Sequence, residues 1–159
     1  PPTPSPSPTC AYAPDPKFAP AWQQAGGRAS FDCALGPTRE GDWAVQRFEH
    51  GRMVWQGANR SIFVLTDDGA FRTFGDAWQE GMPTESCQAS APPDRLQPIR
   101  GFGLVWCRET GVRERLGWAL GPEEGFRGTY QLFQRGGILL APDGRILILR
   151  SDGTWQMIP

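Results

Sequence analysis

The sequence predicts a mainly β protein with a minor helical part. It is expected to hold two tandem repeats, each a short helix followed by a four-stranded antiparallel meander, packed with pseudo-twofold symmetry. Three observations carry this expectation. The chain matches itself: "ALGPTREGDWAVQRFEHGRMVW" from Ala34 is answered by "ALGPEEGFRGTYQLFQRGGILL" from Ala119. Short runs of alternating apolar and polar residues are separated by Gly, Asp and Asn turn signals, the pattern of antiparallel strands. Ahead of each "ALGP", Phe and Trp recur four residues apart, which places both rings on one helical face.

The self-match has an order as well as a content. "FAPAWQQ" (Phe18 to Gln24) lies against "FGLVWCR" (Phe102 to Arg108) at an offset of 84 residues, and the "ALGP" pair lies at 85. Phe48 with Phe133 and Gly51 with Gly136 keep that offset. After the next turn it returns to 84, where "SIFVLTDDGAFRTF" meets "RILILRSDGTWQMI". Single-residue gaps confined to turns indicate a tandem duplication. The expected organisation is a Pro/Ser/Thr-rich stalk over 1–9, a first repeat over 10–84, a proline-rich connector over 85–100 and a second repeat over 101–159. The two repeats are expected to form one compact domain.

Each repeat opens on the Phe-x-x-x-Trp helix. Asp15-Pro16 suits its start and "AGG" (Ala25 to Gly27) its end. The "LGP" corner follows, then an alternating strand, "AVQRFEH" or "TYQLFQR". Gly51 or Gly136 suits a tight hairpin, and "RMVWQ" or "GILLA" forms the second strand. The third strand, "SIFVL" or "RILIL", is the most apolar, so it is expected to be central and covered on both faces. "DDG" or "SDG" turns the chain into a fourth strand, "AFRTF" or "TWQMI". A lone meander has an apolar face that needs cover, which the two copies are expected to give each other. The pattern is compatible both with a closed barrel and with two packed sheets.

Composition narrows the partners. Sixteen basic residues are scattered among 17 acidic ones for a net charge of −1, and no basic stripe argues for nucleic acid or an anionic membrane. No apolar run reaches the roughly 18 residues of a membrane span. Seven Trp and nine Phe supply the apolar area for a core.

The four Cys, at 10, 33, 87 and 107, form no CxxC, and the chain has one His, which disfavours zinc. Four Cys allow three pairings. The local one, Cys10–Cys33 with Cys87–Cys107, is favoured because it ties the tail to the first repeat and closes the connector. The competing reading is four reduced thiols in a cytosolic protein. Two bridges imply export, and the chain reads as a mature one whose signal has been removed. "PPTPSPSPT" (Pro1 to Thr9) favours extended polyproline II and reads as a spacer, of a kind sometimes O-glycosylated. The sequon "NRS" (Asn59 to Ser61) sits in a turn.

The carriers Leu35-Gly36-Pro37, Gln46, Phe48, Gly51, Met53 and Trp55 recur as Leu120-Gly121-Pro122, Gln131, Phe133, Gly136 and Ile138. This pattern resembles the LGFP-type repeats of bacterial cell-envelope proteins. The chain departs from them in lacking a residue between Gly and Pro, in Leu140 where a Trp is expected, and in an added hairpin. The resemblance implies an envelope or surface role and no reaction.

Nothing in the sequence points to catalysis. His50 stands beside Gly51 in a turn, where the other repeat has Arg135. Nucleophilic triads need a His held by a partner. Glu123-Glu124 and Asp67-Asp68 are neighbours, which point to opposite faces of an extended chain. Asp68 and Asp152 both precede Gly, as turns require. No cofactor motif is present.

Aromatic residues shared by both repeats read as scaffold, and those without a counterpart are candidates for contact. These are Trp43, Phe126 and Trp78, the first two placed in the loop after "LGP". They are expected either to stack on sugar or a protein partner or to plug the loop from below. Arg39 and Arg127 stand near them. The expectation is a non-catalytic extracellular or cell-surface structural module that contacts other copies of itself or other surface proteins. A glycan-binding accessory module is the alternative, and a hydrolase stands behind both.

Overall fold

A computed structural model describes residues 1–5 and 8–159. Of the expected stalk, Pro6 and Ser7 lie outside the described residues. Its remaining residues are exposed and carry no regular element. The carbonyl of Pro8 accepts a hydrogen bond from the Arg28 guanidinium at 2.6 Å, so the last turn of the tail touches the folded part.

The first half holds helices α1 (Ala19–Gln24) and α2 (Gly27–Phe31) and strands β1 (Arg39–Phe48), β2 (Gly51–Gln56), β3 (Ser61–Thr66) and β4 (Phe71–Gly75). The second holds α3 (Arg100–Arg108), α4 (Val112–Leu116), β5 (Glu124–Phe133), β6 (Gly136–Leu140), β7 (Ile146–Arg150) and β8 (Trp155–Ile158). The first turn starts at Asp15, whose carbonyl accepts from Phe18 and Ala19 at 2.8 and 3.0 Å, but α1 itself begins at Ala19. "AGG" ends α1, whose C-cap is Ala25, but a second short helix that the sequence reading did not foresee follows at once. Gly26, at φ 121°, redirects the chain into α2, and Gly111, at φ 83°, precedes α4. Helices of five residues are too short to print a 3.6-residue period in the sequence.

All eight strands form one antiparallel sheet in the order β4-β3-β2-β1-β5-β6-β7-β8. The sheet curls until its two outer strands touch at one point. Ala70 bridges Thr154, Phe71 donates to Gly153 at 2.8 Å, and Trp155 donates to Gly69 at 2.9 Å. The architecture is therefore a nearly closed barrel rather than two packed sheets. The sheet centre is the β1–β5 ladder, with Trp43 opposite Phe126, Gly41 opposite Gly128 and Asp42 opposite Arg127. The third strand of each meander lies one strand in from the edge, not at the centre. Even so β3 is covered on both faces, Ile62 and Val64 on one and Leu65 on the other.

The core has three parts. Inside the curl, Trp43, Val54, Leu65, Tyr130, Leu139 and Leu147 pack together. Outside, the helices cross over. Phe102, Val105, Trp106, Val112 and Leu116, from α3 and α4, cover Phe48, Met53, Ile62 and Val64 of the first half's sheet. Phe18, Ala21, Ala25 and Phe31, from α1 and α2, cover Phe133, Ile138 and Ile148 of the second half's sheet. Each helical pair thus buries its apolar face on the strands of the other half.

The repeated motif is the interlock of this exchange. Leu35 of the first corner donates its N–H to Leu132 at 2.9 Å, and Leu120 of the second donates to Arg47 at 2.8 Å. Gln131 is buried and donates to Gly36 and Ala13, each at 3.0 Å, while accepting from Asp15 N–H at 2.8 Å. Gln46 donates to Gly121 at 2.9 Å. Buried amides need such partners, which explains a polar residue two positions before each core Phe. Gly51 and Gly136 sit at φ 155° and 144°, where a Cβ would lie 2.0 Å from Leu65 O and 2.3 Å from Leu149 O; the hairpins require glycine there.

Cys10 is bonded to Cys33 and Cys87 to Cys107, the local pairing. The connector carries no regular element; Gln97 holds it by bonding Cys87 O and, at 3.1 Å, Ala89 N–H. Two disulfides are consistent with an oxidising setting. Among the described residues no helix is long and apolar enough to cross a membrane.

Candidate functional site

The inner face of an incompletely closed sheet is filled by side chains only in part. Two clefts of about 280 and 230 Å³ remain, and Leu139 and Leu147 line both. Alternation along β1 and β5 turns Trp43, Val45, Phe126 and Tyr130 to this face. Trp43 lines the larger cleft and Phe126 the smaller.

The two sequence candidates Trp43 and Phe126 are therefore not loop residues. The loop after "LGP" is short, because β1 and β5 already start at Arg39 and Glu124. Trp43 is 5 % exposed and meets Tyr130 edge-on at 5.3 Å between ring centres. The larger cleft, beyond these two rings, is bounded by Phe63, Phe71 and Gly137 and rimmed by Gln56, Asn59, Thr73 and Arg150, the last bonded to Ala25 O, Thr154 and Gln156. The Nε1–H of Trp43 is buried without an acceptor.

The smaller cleft differs in charge. Val54, Phe126 and Met157 line it, with Arg52, Arg145, Asp143 and Glu124 at its polar side. Asp143 accepts from Arg145 at 2.7 Å and from the Arg145 backbone N–H at 3.0 Å, so this rim pair neutralises itself. Its hydrogen bonds hold the Asp143 carboxyl below the usual range. Among the described residues Arg52 has no ion pair or side-chain hydrogen bond, and its Nε is buried. Its guanidinium lies 5.8 Å from the centre of the Trp155 ring. Burial, then repulsion from Arg145 and Arg47, pulls its pKa below the ordinary guanidinium value, although a guanidinium stays charged in any case.

The third candidate, Trp78, is on the other side of the sheet. It is half-buried after β4, donates its indole N–H to Pro83 O at 3.1 Å, and shares a surface depression of about 370 Å³ with Trp55, Asp76, Arg100 and Glu123. Asp76 organises this place by accepting from Trp55 Nε1 at 3.0 Å and from the Trp78 backbone N–H at 3.1 Å. Arg39 is exposed at the start of β1. Arg127 pairs with Asp42 at 3.2 Å with both side chains well exposed, a geometry worth little. The structure brings Trp43 and Phe126 together and leaves Trp78, Arg39 and Arg127 apart from their clefts.

His50 stands exposed in the β1–β2 turn, with Arg135 in the β5–β6 turn. Glu123 pairs with Arg100 at 2.7 Å. Asp68 accepts from Thr66 Oγ1 at 2.6 Å and Ala70 N–H at 3.0 Å; Asp152 accepts from Thr154 Oγ1 at 2.6 Å and its N–H at 2.9 Å. These bonds lower both carboxyls below the ordinary value, as turn-capping aspartates require. Asp32 lies beside Cys10 and Cys33, but both sulfurs are in a disulfide and offer no thiolate to a metal.

Two features escaped the sequence reading. Arg52 aligns with Gly137, an unshared charge as telling as an unshared aromatic ring. Leu35 and Leu120, shared by both corners and so read as scaffold, are 58 % and 43 % exposed. Comparison with known protein families, curated proteins and solved structures finds no match for the chain.

Proposed function

We propose that this chain is a non-catalytic, exported interaction module of the cell surface, built by tandem duplication around a pseudo-twofold axis, that contacts other copies of itself or other surface proteins. The observation that carries the contact is a cluster of large apolar side chains left in water. Leu35 stands beside Leu132 across their backbone hydrogen bond, and Tyr12 bridges the neighbouring Ala34. Their exposures are 58, 38 and 48 %, and adjacent exposed apolar groups mark interaction surfaces where scattered ones do not. The two disulfides and the proline-rich tail support export, as does the resemblance to LGFP-type envelope repeats. The recurrence of corner, glutamine and helix contacts in both halves supports the duplication. The β1–β5 register, in which Gly41 faces Gly128 and Trp43 faces Phe126, supports the axis.

Light scattering on the oxidised protein after size exclusion, with negative-stain imaging, tests this. Self-association that is lost in Leu35→Asp/Leu132→Asp supports it. A monomer at every concentration, with no surface protein captured, refutes it. A glycan-binding role is the second reading, favoured by the shallow depression at Trp55 and Trp78. Saturable binding of cell-wall polysaccharide that is lost in Trp78→Ala would put it first.

A further inference from the structure

We propose that the smaller inner cleft is a binding site for a small amphipathic anion, a medium-chain carboxylate, with its charge on Arg52 and its tail between Val54, Phe126, Leu147 and Met157. Four observations carry this. First, the cleft has apolar walls and a volume of about 230 Å³, the space of about eight waters at ~30 Å³ each. That suits a short alkyl chain and excludes a polymer. Second, Arg52 is half-buried in the cleft wall, and its buried Nε–H has no acceptor. Asp67 and Asp143 attract the charge from a distance, but neither pairs with it, and a buried donor left unmatched is costly. Third, its closest charged neighbour along the ladder is a like charge: Arg47 lies directly opposite on β1, an arrangement that is unfavourable in a sheet. The Asp143 carboxylate on the rim is already bonded by Arg145, and Glu124 is exposed at the cleft's edge. An incoming carboxylate would supply the missing acceptor and relieve the repulsion together. Fourth, the larger cleft on the same inner face has Gly137 at the position matching Arg52, and its one arginine, Arg150, is already bonded to Ala25 O, Thr154 and Gln156. An arginine without an acceptor is thus a property of one cleft and not a requirement of the fold.

The orientation follows from the geometry. The guanidinium lies over Trp155, so the Trp face holds its plane and leaves its edge for a bidentate acceptor. A tail running along Val54, Leu139, Leu147 and Met157 lies against apolar side chains.

The test uses the full oxidised chain and three probes of equal length: octanoate, 1-octanol and octylammonium. Titration calorimetry is expected to show one saturable octanoate site, with octanol weaker by about ten- to a hundredfold, the worth of a charge-assisted hydrogen bond. Octylammonium is expected not to bind. Arg52→Met removes the charge and keeps the length. It should bring octanoate to the affinity of octanol while leaving the folded state intact, which circular dichroism checks. Arg145→Gln should leave most of the octanoate affinity. Amide shifts on octanoate addition should centre on Val54, Leu147 and Met157. Equal binding of octanoate and octanol, octanoate binding unchanged in Arg52→Met, or shifts centred on Trp43 and Phe71 would each overturn the proposal, as would no octanoate binding at all.

Discussion

The two clefts of the inner face share Leu139 and Leu147 yet treat charge differently. One has aromatic walls, a glycine at position 137 and an arginine, Arg150, whose hydrogen bonds are met within the fold. The other has an unpaired arginine at position 52 with a second arginine across the ladder. Outside the curl the two faces are handled alike, each covered by the helical pair of the opposite half. The lesson is that the outer contacts hold the architecture, and that the two halves differ most on the inner face, which closes at a single point.

The largest effect expected from this division is on the exchange of helices. Residues 1–84 and 85–159 expressed separately should remain unfolded by circular dichroism, and mixing them should restore structure, because each meander alone exposes its outer apolar face. Independent folding of either half with the Tm of the whole would break the picture of one shared core. Within the whole chain, Phe18→Ala and Phe102→Ala remove matching anchors, each at most 2 % exposed. Each should cost about 3–5 kcal/mol in chemical denaturation, with one cooperative transition in both variants. Two transitions would mean that the halves are energetically separate.

The disulfides probe the same equivalence at a smaller scale. They span separations of 23 and 20 residues, so removing either by a double Cys→Ser change should cost about 3 kcal/mol by loop entropy. A much larger loss at Cys87–Cys107 would show that the connector depends on its bridge for order. Gly137→Arg sharpens the contrast between the clefts. A Cβ at that position would meet nothing closer than 3.6 Å, so the backbone does not bar a side chain there. The cost should be about 1–3 kcal/mol for a buried unpartnered polar group, and the larger cleft should then acquire a preference for octanoate over octanol.

The smallest effect is acid sensitivity. Hydrogen bonds to the Trp118 N–H, to Thr66 and to Thr154 hold Glu49, Asp68 and Asp152 below their ordinary values. A lowered folded-state pKa means that the folded form binds fewer protons than the unfolded one. Stability from these groups is therefore present above the unfolded-state pKa, about 4, and is lost as pH falls through it and below. Tm should be flat near neutrality and decline below about pH 4. Because Asp68 and Asp152 serve corresponding turns, Asp68→Asn and Asp152→Asn should each flatten that decline by similar amounts.

Local regularities explain what was legible in advance. Period-two alternation, hairpin glycines and Asp-Gly turns are one-dimensional signals, so the eight strands and their antiparallel succession could be read from residues 39–158 directly. The disulfide pairing followed from short loops and the two contacts it had to make. The tertiary structure alone decided the rest, because it depends on contacts across large sequence separations. Whether the meanders form one curled sheet was fixed by β1 pairing with β5, a ladder no local pattern specifies. Which sheet each helix covers was fixed by the corner of one half bonding the β-strand of the other, as Leu35 does with Leu132. Trp43 and Phe126 were legible as unusual but not as buried, since facing the inner cleft or the solvent depends on how far the sheet curls. Arg52 has the most ordinary of local contexts, an exposed-looking charge in an alternating strand. Only the curl of the sheet, which buries its Nε without bringing an acceptor, sets it apart.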